Sequence, residues 1–354
     1  MKKSTLESKK NSNLFYISYL VIVLIVSLIA AEIFMRIFNI CPLPKDYRVY
    51  ITDKYLPYKY IPNIKFRIKR SGEFDVMVKI NSVSFRDFEH NYQKPIGVYR
   101  IVGLGDSFTM GAGAEFKDSY FYKLEKMLNE KYSPKKIEII KTGTGGYFTE
   151  PERILLEHYG IRYSPDLIIA GFLPNDIIGT YYGASSVQVK NGFLSTKESS
   201  DIGKTGMRLF KRYHLARVFI RAYISYKLKK EKPAKWEEIY KENGFHEKDW
   251  RKVEQEFQKI IEIGKSIGSP VVIVNIPEFL SFLKDVDFSY TGKRLERFSK
   301  ENGYLYIDTY PQIIKEIKKG KMLFWKKDGH CTPYGYEVIA RAIYEKLVES
   351  NVIR

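Results

Sequence analysis

Three patterns of apolar and polar positions divide this chain. Residues 14–31, LFYISYLVIVLIVSLIAA, are eighteen residues without a charge. As a helix that run is long enough to cross the hydrocarbon core of a bilayer, particularly with the interfacial stretch 32–40 as an extension. Further on, Ile64-Lys65-Phe66-Arg67-Ile68 and Phe74-Asp75-Val76-Met77-Val78-Lys79-Ile80 alternate with the period of strands. From about residue 97, short apolar runs at 99–104, 137–140, 167–170, 271–276 and 304–307 are separated by stretches of helical spacing. Near-continuous apolar strands between helices predict a parallel sheet covered on both faces.

The helical stretches carry their own signals. Tyr120, Leu124, Met127 and Leu128 fall on one face, and Trp250, Val253, Phe257, Ile260 and Ile261 repeat at helical spacing. Thr149-Glu150-Pro151-Glu152 reads as a capping box. Thr332-Pro333 reads as the N-cap and first residue of a C-terminal helix. The expected organisation is a polar basic tail (1–13), a transmembrane anchor (14–38), a linker and small β lead-in (39–96) and an α/β domain (97–354). A helical, basic, aromatic insertion at about 180–245, with Arg212, Arg217, Arg221 and the run 227–230, breaks the βα rhythm. Two readings of it stand: a substrate-shaping cap, or a surface insertion with no role in chemistry.

A cleaved signal peptide would have a shorter apolar region and a small-x-small cleavage site; here Leu28 and Ile29 precede Ala30 and Ala31, so the run reads as an uncleaved anchor. Lys2, Lys3, Lys9 and Lys10 lie before it and Arg36, Lys45, Arg48 and Lys54 after it, a weak charge bias. Long domains translocate largely regardless of charge, so the expectation is a cytoplasmic tail and an extracytoplasmic domain. The formal net charge of +18 suits anionic lipid headgroups or glycans, or is a lysine-rich bias spread over solvated faces. The lysines are scattered and no nucleic-acid-binding motif occurs, so no nucleic acid partner is expected. Cys41 and Cys331, the two cysteines, match no metal-ligand spacing and no disulfide framework.

In open α/β sheets ligands bind outside the carboxyl ends of the strands. Gly105-Asp106-Ser107, Gly143-Thr144-Gly145-Gly146, Pro174-Asn175-Asp176 and Asp328-Gly329-His330 all fall at such ends. A serine, a histidine and an aspartate are what a hydroxyl nucleophile needs: an imidazole to take its proton and a carboxylate to fix the imidazole tautomer. Ser107 would attack an ester carbonyl, His330 would move the proton, and Asp328 would orient His330. The backbone N–H groups of Ser107 and Gly146 and the Asn175 side-chain amide would hold the oxyanion. Asp106 is expected to bond its own turn and Asp176 to be a turn or capping residue. His90, His158, His214 and His246 are expected at the surface or in local bonds. Ser107 is not in a G-x-S-x-G elbow, because Thr109 replaces the last glycine, and no dinucleotide or P-loop register appears.

On these residues the chain resembles the SGNH/GDSL hydrolase superfamily. The blocks are Val102-Gly103-Leu104-Gly105-Asp106-Ser107, Thr142-Gly143-Thr144-Gly145-Gly146-Tyr147, Gly171-Phe172-Leu173-Pro174-Asn175-Asp176 and Asp328-Gly329-His330 with Pro333 and Gly335. They occur in the family's order over about 97–354. Pro62-Asn63 and Asn81-Ser82-Val83-Ser84-Phe85-Arg86-Asp87 are similar to the lead-in of membrane-anchored members. The resemblance implies a three-layer α/β/α flavodoxin-like sandwich with a five-stranded parallel sheet, and acyl transfer without metal or cofactor. It also implies Ser107 as nucleophile, His330 as base, and Gly146 and Asn175 in the oxyanion hole. The expected function is a membrane-anchored serine esterase acting on O-acyl, chiefly acetyl, esters of a carbohydrate or lipid. A polysaccharide O-acyltransferase with the same triad, or a non-catalytic glycan-binding scaffold, is the alternative. Three positions depart from the family's pattern: Lys141 stands where asparagine is common, Ser84 replaces a glycine, and Cys331-Thr332 replaces Trp-Asn.

Overall fold

A computed structural model describes residues 2–41, 48–190, 192–196, 203–230, 236–278 and 289–353. The chain divides into two compact units, one formed by 1–47 with 196–233 and the other by 48–195 with 234–354. Among the described residues the first unit contains the helices α1 (Lys2–Ile37), α6 (Gly203–Arg212) and α7 (His214–Lys230). Within α1, Phe15–Ile37 is long and apolar enough to cross a membrane, and most of its side chains are exposed, Met35 being buried.

The second unit opens with the short antiparallel pair β1 (Tyr50–Ile51) and β2 (Lys59–Tyr60), then the hairpin β3 (Lys65–Arg70) and β4 (Phe74–Lys79). Next come β5 (Val98–Leu104), α2 (Ser107–Met110), α3 (Tyr120–Tyr132), β6 (Lys136–Lys141), α4 (Thr149–His158), β7 (Leu167–Phe172) and α5 (Asn175–Tyr182). A small β8 (Val187–Lys190) and β9 (Phe193–Thr196) pair follows. The unit ends with α8 (Glu247–Ser266), β10 (Val271–Asn275), α9 (Ser289–Asn302), β11 (Leu305–Asp308), α10 (Tyr310–Lys318) and α11 (Pro333–Ser350).

The five apolar runs become one parallel sheet of order β11-β10-β7-β5-β6. The sheet carries a buried layer on each face. Leu124 and Leu128 of α3 and Ile339 and Ile343 of α11 pack on one face, and Leu155, Trp250, Phe257 and Ile260 of α4 and α8 on the other. β7 is buried along its whole length, as expected for a central strand covered on both sides. The first strand of the set, β5, lies between the second and the third, so the strand order reverses beside it, the position where α/β sheets open a crevice.

Several local expectations need correction. The capping box at 149–152 does not form: Phe148 is the N-cap, the Thr149 hydroxyl donates to Asp176 at 2.9 Å, and Glu152 is buried with neither oxygen bonded. Tertiary packing of α4 on α5 has redirected the threonine. Asp176, expected to be a turn or capping residue, is buried in the first turn of α5 and makes no cap bond there, accepting from Thr149 instead. His246 and His90 take the local-bond alternative: buried His246 is bonded to Asp249, and partly buried His90 lies between Asp87 and Glu138. That pair of carboxylates outweighs the opposing effect of burial and raises His90 to about 9. The stretch 180–245 is not helical throughout, since it includes β8 and β9, and its central part, 196–233, belongs to the unit of α1.

Lys141, Thr332 and Cys331 fit their local settings, and Ser84 is strained in its own. Lys141 is buried with Asp87 at 3.4 Å and Glu125 closer still, so its ammonium is paired. Thr332 is the N-cap of α11, accepting from the Gly335 N–H at 3.1 Å. Cys331 is buried in the core and Cys41 is free. Ser84 has a φ of +78° and a buried hydroxyl without a hydrogen bond. Left-handed backbone costs a non-glycine residue about 1–2 kcal/mol, and a buried unpaired hydroxyl adds to that. Ser84→Gly is therefore expected to stabilise the fold by about 1 kcal/mol after allowing for glycine's unfolded-state entropy. Urea unfolding at equilibrium checks this, and an unchanged or lower midpoint would count against the strain.

Candidate active site

β5 ends at Leu104, and the chain turns through Gly105 and Asp106 into α2, whose first residue is Ser107. Asp106 caps that short helix, accepting from the Phe108 N–H at 2.8 Å. Gly105 has no room for a side chain, since a Cβ there would lie 1.8 Å from the Thr109 hydroxyl oxygen. The turn therefore presents Ser107 at the carboxyl edge of the sheet, beside the reversal of strand order.

His330 reaches this point from the far end of the chain. Residues 324–331 form a tight return: Phe324 and Cys331 pair as an antiparallel bridge, Trp325 N donates to His330 O at 2.8 Å, and Gly329 N donates to Trp325 O at 2.8 Å. The Trp325 indole N–H anchors the return to Gly113 O at 2.9 Å. The Phe108 ring lies against the imidazole, centroids 5.0 Å apart. His330 Nε2 is 2.8 Å from Ser107 Oγ, and His330 Nδ1 is 2.5 Å from Asp328 Oδ1. With Nδ1 protonated toward the carboxylate, Nε2 is an acceptor facing the serine hydroxyl. Such a chain can take a proton from Ser107 without leaving a charge unpaired.

Asp328 is itself held from elsewhere. Arg70, at the end of β3, places Nη2 at 3.2 Å and Nε at 3.3 Å from Asp328 Oδ2. Glu73, across the hairpin turn, accepts from the N–H groups of Lys327 at 2.6 Å and Asp328 at 3.1 Å. Partial burial disfavours the charge on Asp328, but the His330 and Arg70 contacts outweigh it and keep the carboxyl below its ordinary value. Neither Arg70 nor Glu73 was singled out by the sequence. Their alternating strand was visible, but a side chain that reaches across the fold leaves no local signal.

Asn175 opens α5, and its amide Nδ2 donates to Asp106 Oδ2 at 3.0 Å, leaving the second Nδ2 hydrogen for a ligand. Its backbone N–H donates to Glu278 Oε1 at 2.6 Å. Burial, and secondarily the nearby Asp106, pushes the Glu278 carboxyl up to about 8, so at neutral pH it is a protonated acid beside the site. Glu278 was also missed by the sequence reading. The glycine block runs next to the serine turn: Thr142 N donates to Gly103 O at 3.0 Å and Thr144 N to Gly105 O at 3.1 Å. A Cβ built on Gly145 would lie 3.8 Å from the Ser107 Cβ. Gly146 follows with a φ of +80°, under the Tyr58 hydroxyl.

Ser107, Asn175, Asp328 and His330 all line one cavity of about 480 Å³, together with Phe108, Trp236, Glu278, Lys326, Lys327 and Gly329. Gly146 does not line it. A larger cavity of about 930 Å³ at the opposite edge of the sheet includes Lys94, Asp166, Ser164 and Ser350, but no histidine or cysteine to activate or replace a hydroxyl. Among the described residues no group of three or more His, Cys, Asp or Glu side chains is placed to hold a metal ion.

No protein-family model matches the chain, and no curated protein does. Among solved structures it is similar to a member of the lipolytic protein G-D-S-L family from Veillonella parvula DSM 2008, at 13% identity over 71% of this chain and 98% of that one, with a TM-score of 0.42. It is also similar to a lipase from a goat rumen metagenome (14% identity, 70% and 97% covered, TM-score 0.43). A third likeness is to an acetylxylan esterase from Geobacillus stearothermophilus (15% identity, 70% and 94% covered, TM-score 0.45). Similarity this distant says nothing of activity, which has to be read from the site's own geometry.

The Gly146 backbone tests how tightly the glycine block is held. A Cβ there would meet the Tyr58 hydroxyl at 2.7 Å, whereas one on Gly97, with a similar φ of +77°, would meet nothing within 4 Å. Gly97→Ala is expected to cost only the backbone strain of about 1–2 kcal/mol, and Gly146→Ala clearly more. Thermal unfolding of the two variants separates the effects, and equal losses would mean that Tyr58 does not constrain the block.

Proposed function

We propose that this chain is a membrane-anchored serine esterase that hydrolyses O-acyl groups, chiefly acetyl, on a carbohydrate or lipid, in keeping with its resemblance to the SGNH/GDSL superfamily. The observation that carries this reading is the continuous Ser107–His330–Asp328 chain, with contacts of 2.8 and 2.5 Å. Ser107 Oγ attacks the ester carbonyl carbon while its proton moves to His330 Nε2. Asp328 keeps the other imidazole nitrogen protonated and balances the imidazolium charge. The free Asn175 amide hydrogen and the Ser107 N–H hold the carbonyl oxygen as it becomes an oxyanion, while Gly146, expected as a third donor, lies outside the cavity. Each such donor is typically worth about 3 kcal/mol in the transition state.

On collapse, the C–O bond to the alcohol breaks and His330 returns its proton to the leaving oxygen. Water then enters, loses a proton to His330 and attacks the acyl-enzyme. The carboxylic acid departs as Ser107 recovers its hydrogen. Trp236 offers a flat apolar face suited to a sugar ring, and Glu278, neutral at pH 7, adds no charge to oppose the oxyanion. The apolar helix near the N-terminus is read as the anchor, with the tail cytoplasmic and the domain outside.

Covalent labelling by a fluorophosphonate, followed by intact mass, tests the nucleophile. One adduct is expected on the full chain, lost in Ser107→Ala and in His330→Ala, and an unlabelled folded wild type would sink the esterase reading. Asp328→Asn is expected to lower kcat by about 10²–10⁴-fold.

The Arg70 contact gives a pH signature. A carboxyl held below its ordinary value contributes above its ordinary range, and the contribution is lost as pH falls through the lowered value. Arg70→Gln removes part of what holds Asp328 down, so the acid limb of kcat/KM is expected to begin at higher pH, and Arg70→Lys to restore most of it. A limb that stays in place while only the amplitude falls would mean that Arg70 acts on packing alone.

A further inference from the structure

The middle of the insertion belongs to the anchor's unit, and its chemistry differs from the rest of the chain. Between 203 and 230 the sequence has nine Lys or Arg residues and no Asp or Glu. It also has six aromatic residues, Phe210, Tyr213, Phe219, Tyr223, Tyr226 and His214. Basic helices with aromatic and aliphatic faces are built for the boundary between headgroups and acyl chains.

The contacts show where these helices sit on α1. Glu32, a carboxylate near the end of the apolar helix, accepts from the first two N–H groups of α7, His214 at 3.0 Å and Leu215 at 2.9 Å. Arg36 bonds Glu32 at 2.7 Å and donates to Arg212 O at the end of α6, at 2.9 Å. His214 Nδ1 meets Ile40 O at 2.7 Å, and the buried Arg217 donates to Cys41 O at 2.7 Å and Phe210 O at 3.0 Å. The polar groups at the carboxyl end of α1 are thus satisfied by α6 and α7, which form a collar there.

The outer surface of the collar is divided by chemistry. Phe219, Tyr223 and Tyr226, at i, i+4 and i+7, make one exposed stripe on α7, with exposures of 65%, 55% and 64%. The stripe continues an apolar groove in which Leu215 and Phe219 face Leu28, Ile29 and Ile33 of α1. Arg221 projects from the opposite side of α7, and Arg208, Lys211 and Arg212 are exposed on α6. A water-facing surface would not need the aromatic stripe, and a lipid-buried one could not hold the cations.

We propose that α6 and α7 are an interfacial docking surface for anionic phospholipid headgroups, with the aromatic stripe at acyl-chain level and the cations toward the phosphates. This goes beyond the esterase chemistry and rests only on the reading of α1 as a membrane span. The occupant is argued from two observations: acid-free basic charge complements a phosphodiester surface, and the groove is continuous with the apolar helix that crosses the same bilayer. The collar works in either leaflet, so it does not depend on orientation.

Hydrogen exchange of the full chain in lipid nanodiscs tests it, comparing phosphatidylcholine alone with a mixture containing phosphatidylglycerol. Amides of 203–230 are expected to exchange about tenfold or more slowly in the anionic discs. The difference should shrink in high salt and in the Arg208→Gln, Lys211→Gln, Arg221→Gln triple variant. Equal exchange in the two lipids overturns the proposal, as does slow exchange in both that ignores salt and charge, which would indicate a protein partner such as a second copy. Alkaline carbonate treatment of vesicles carrying the full chain separates the two readings. Retention with equal exchange leaves the anchor and removes the collar, whereas extraction removes the anchor and the collar with it.

Discussion

The site depends on one buried cation held by backbone carbonyls. Arg86 is 2% exposed, and its guanidinium donates to the carbonyls of Met110 at 3.2 Å, Gly111 at 2.7 Å and Ala114 at 2.9 Å. Those carbonyls close the short helix that Ser107 opens. Taking a guanidinium out of water is expensive, and burial disfavours its charged form. Three charge-assisted bonds to fixed backbone oxygens offset that cost. The next residue, Asp87, accepts from Lys141 N at 2.8 Å and pairs with His90 and the Lys141 ammonium. The segment 81–87 therefore grips the serine turn with one side chain and the strand before the glycine block with the next. Without it, the 2.8 Å contact between Ser107 and His330 would rest on a four-residue helix and a loop.

Electrostatics then sorts the carboxyls around the site into two kinds. Asp328 is partly solvated, bonded to an imidazole and paired with Arg70, and it stays charged. Glu152, Asp176 and Glu278 are buried near Asp106, and burial raises all three well above the ordinary carboxylate range. Two charges so close together in a dry interior would repel strongly, so the group holds protons instead. In the proposed reaction ester attack would create an oxyanion near Asn175, and negative charge beneath that point would oppose it. The same residue type thus supplies a charge where the imidazole needs one and a neutral hydrogen-bonding group where charge would be harmful.

How much of this could be read from the sequence follows the reach of each interaction. The strands of the sheet were legible because a covered strand is apolar at every position, and β7 is buried throughout. The Asp328–His330 pair was legible because a single residue separates them, and Thr332-Pro333 because capping is local. Arg70 and Asp328 are 258 positions apart, so nothing near either announces the contact. The capping box failed for the same reason in reverse: the local signal at Thr149 was correct chemistry, but Asp176 on a neighbouring helix competes for the hydroxyl. Lys141 looked like a departure from the pattern until its partners Asp87 and Glu125, from two other elements, came into view.

A single device recurs where loops and helices must be held at long range: a glutamate accepting from backbone N–H groups. Glu73 holds the turn before Asp328, Glu278 holds the first residue of α5, and Glu32 holds the start of α7. The first residues of a helix have N–H groups with no partner of their own, and a distant carboxyl that fills them fixes the helix without needing a large packed interface. The three differ in how charge is handled. Glu32 is paired with Arg36, Glu73 stands at the edge of the hairpin, and Glu278 is kept protonated by burial and accepts through its carbonyl-like oxygen. That difference suits location. Beside the oxyanion of the proposed reaction only a neutral cap would be tolerable, whereas with α1 read as a membrane span a bare carboxylate at its carboxyl end would be costly and needs its arginine.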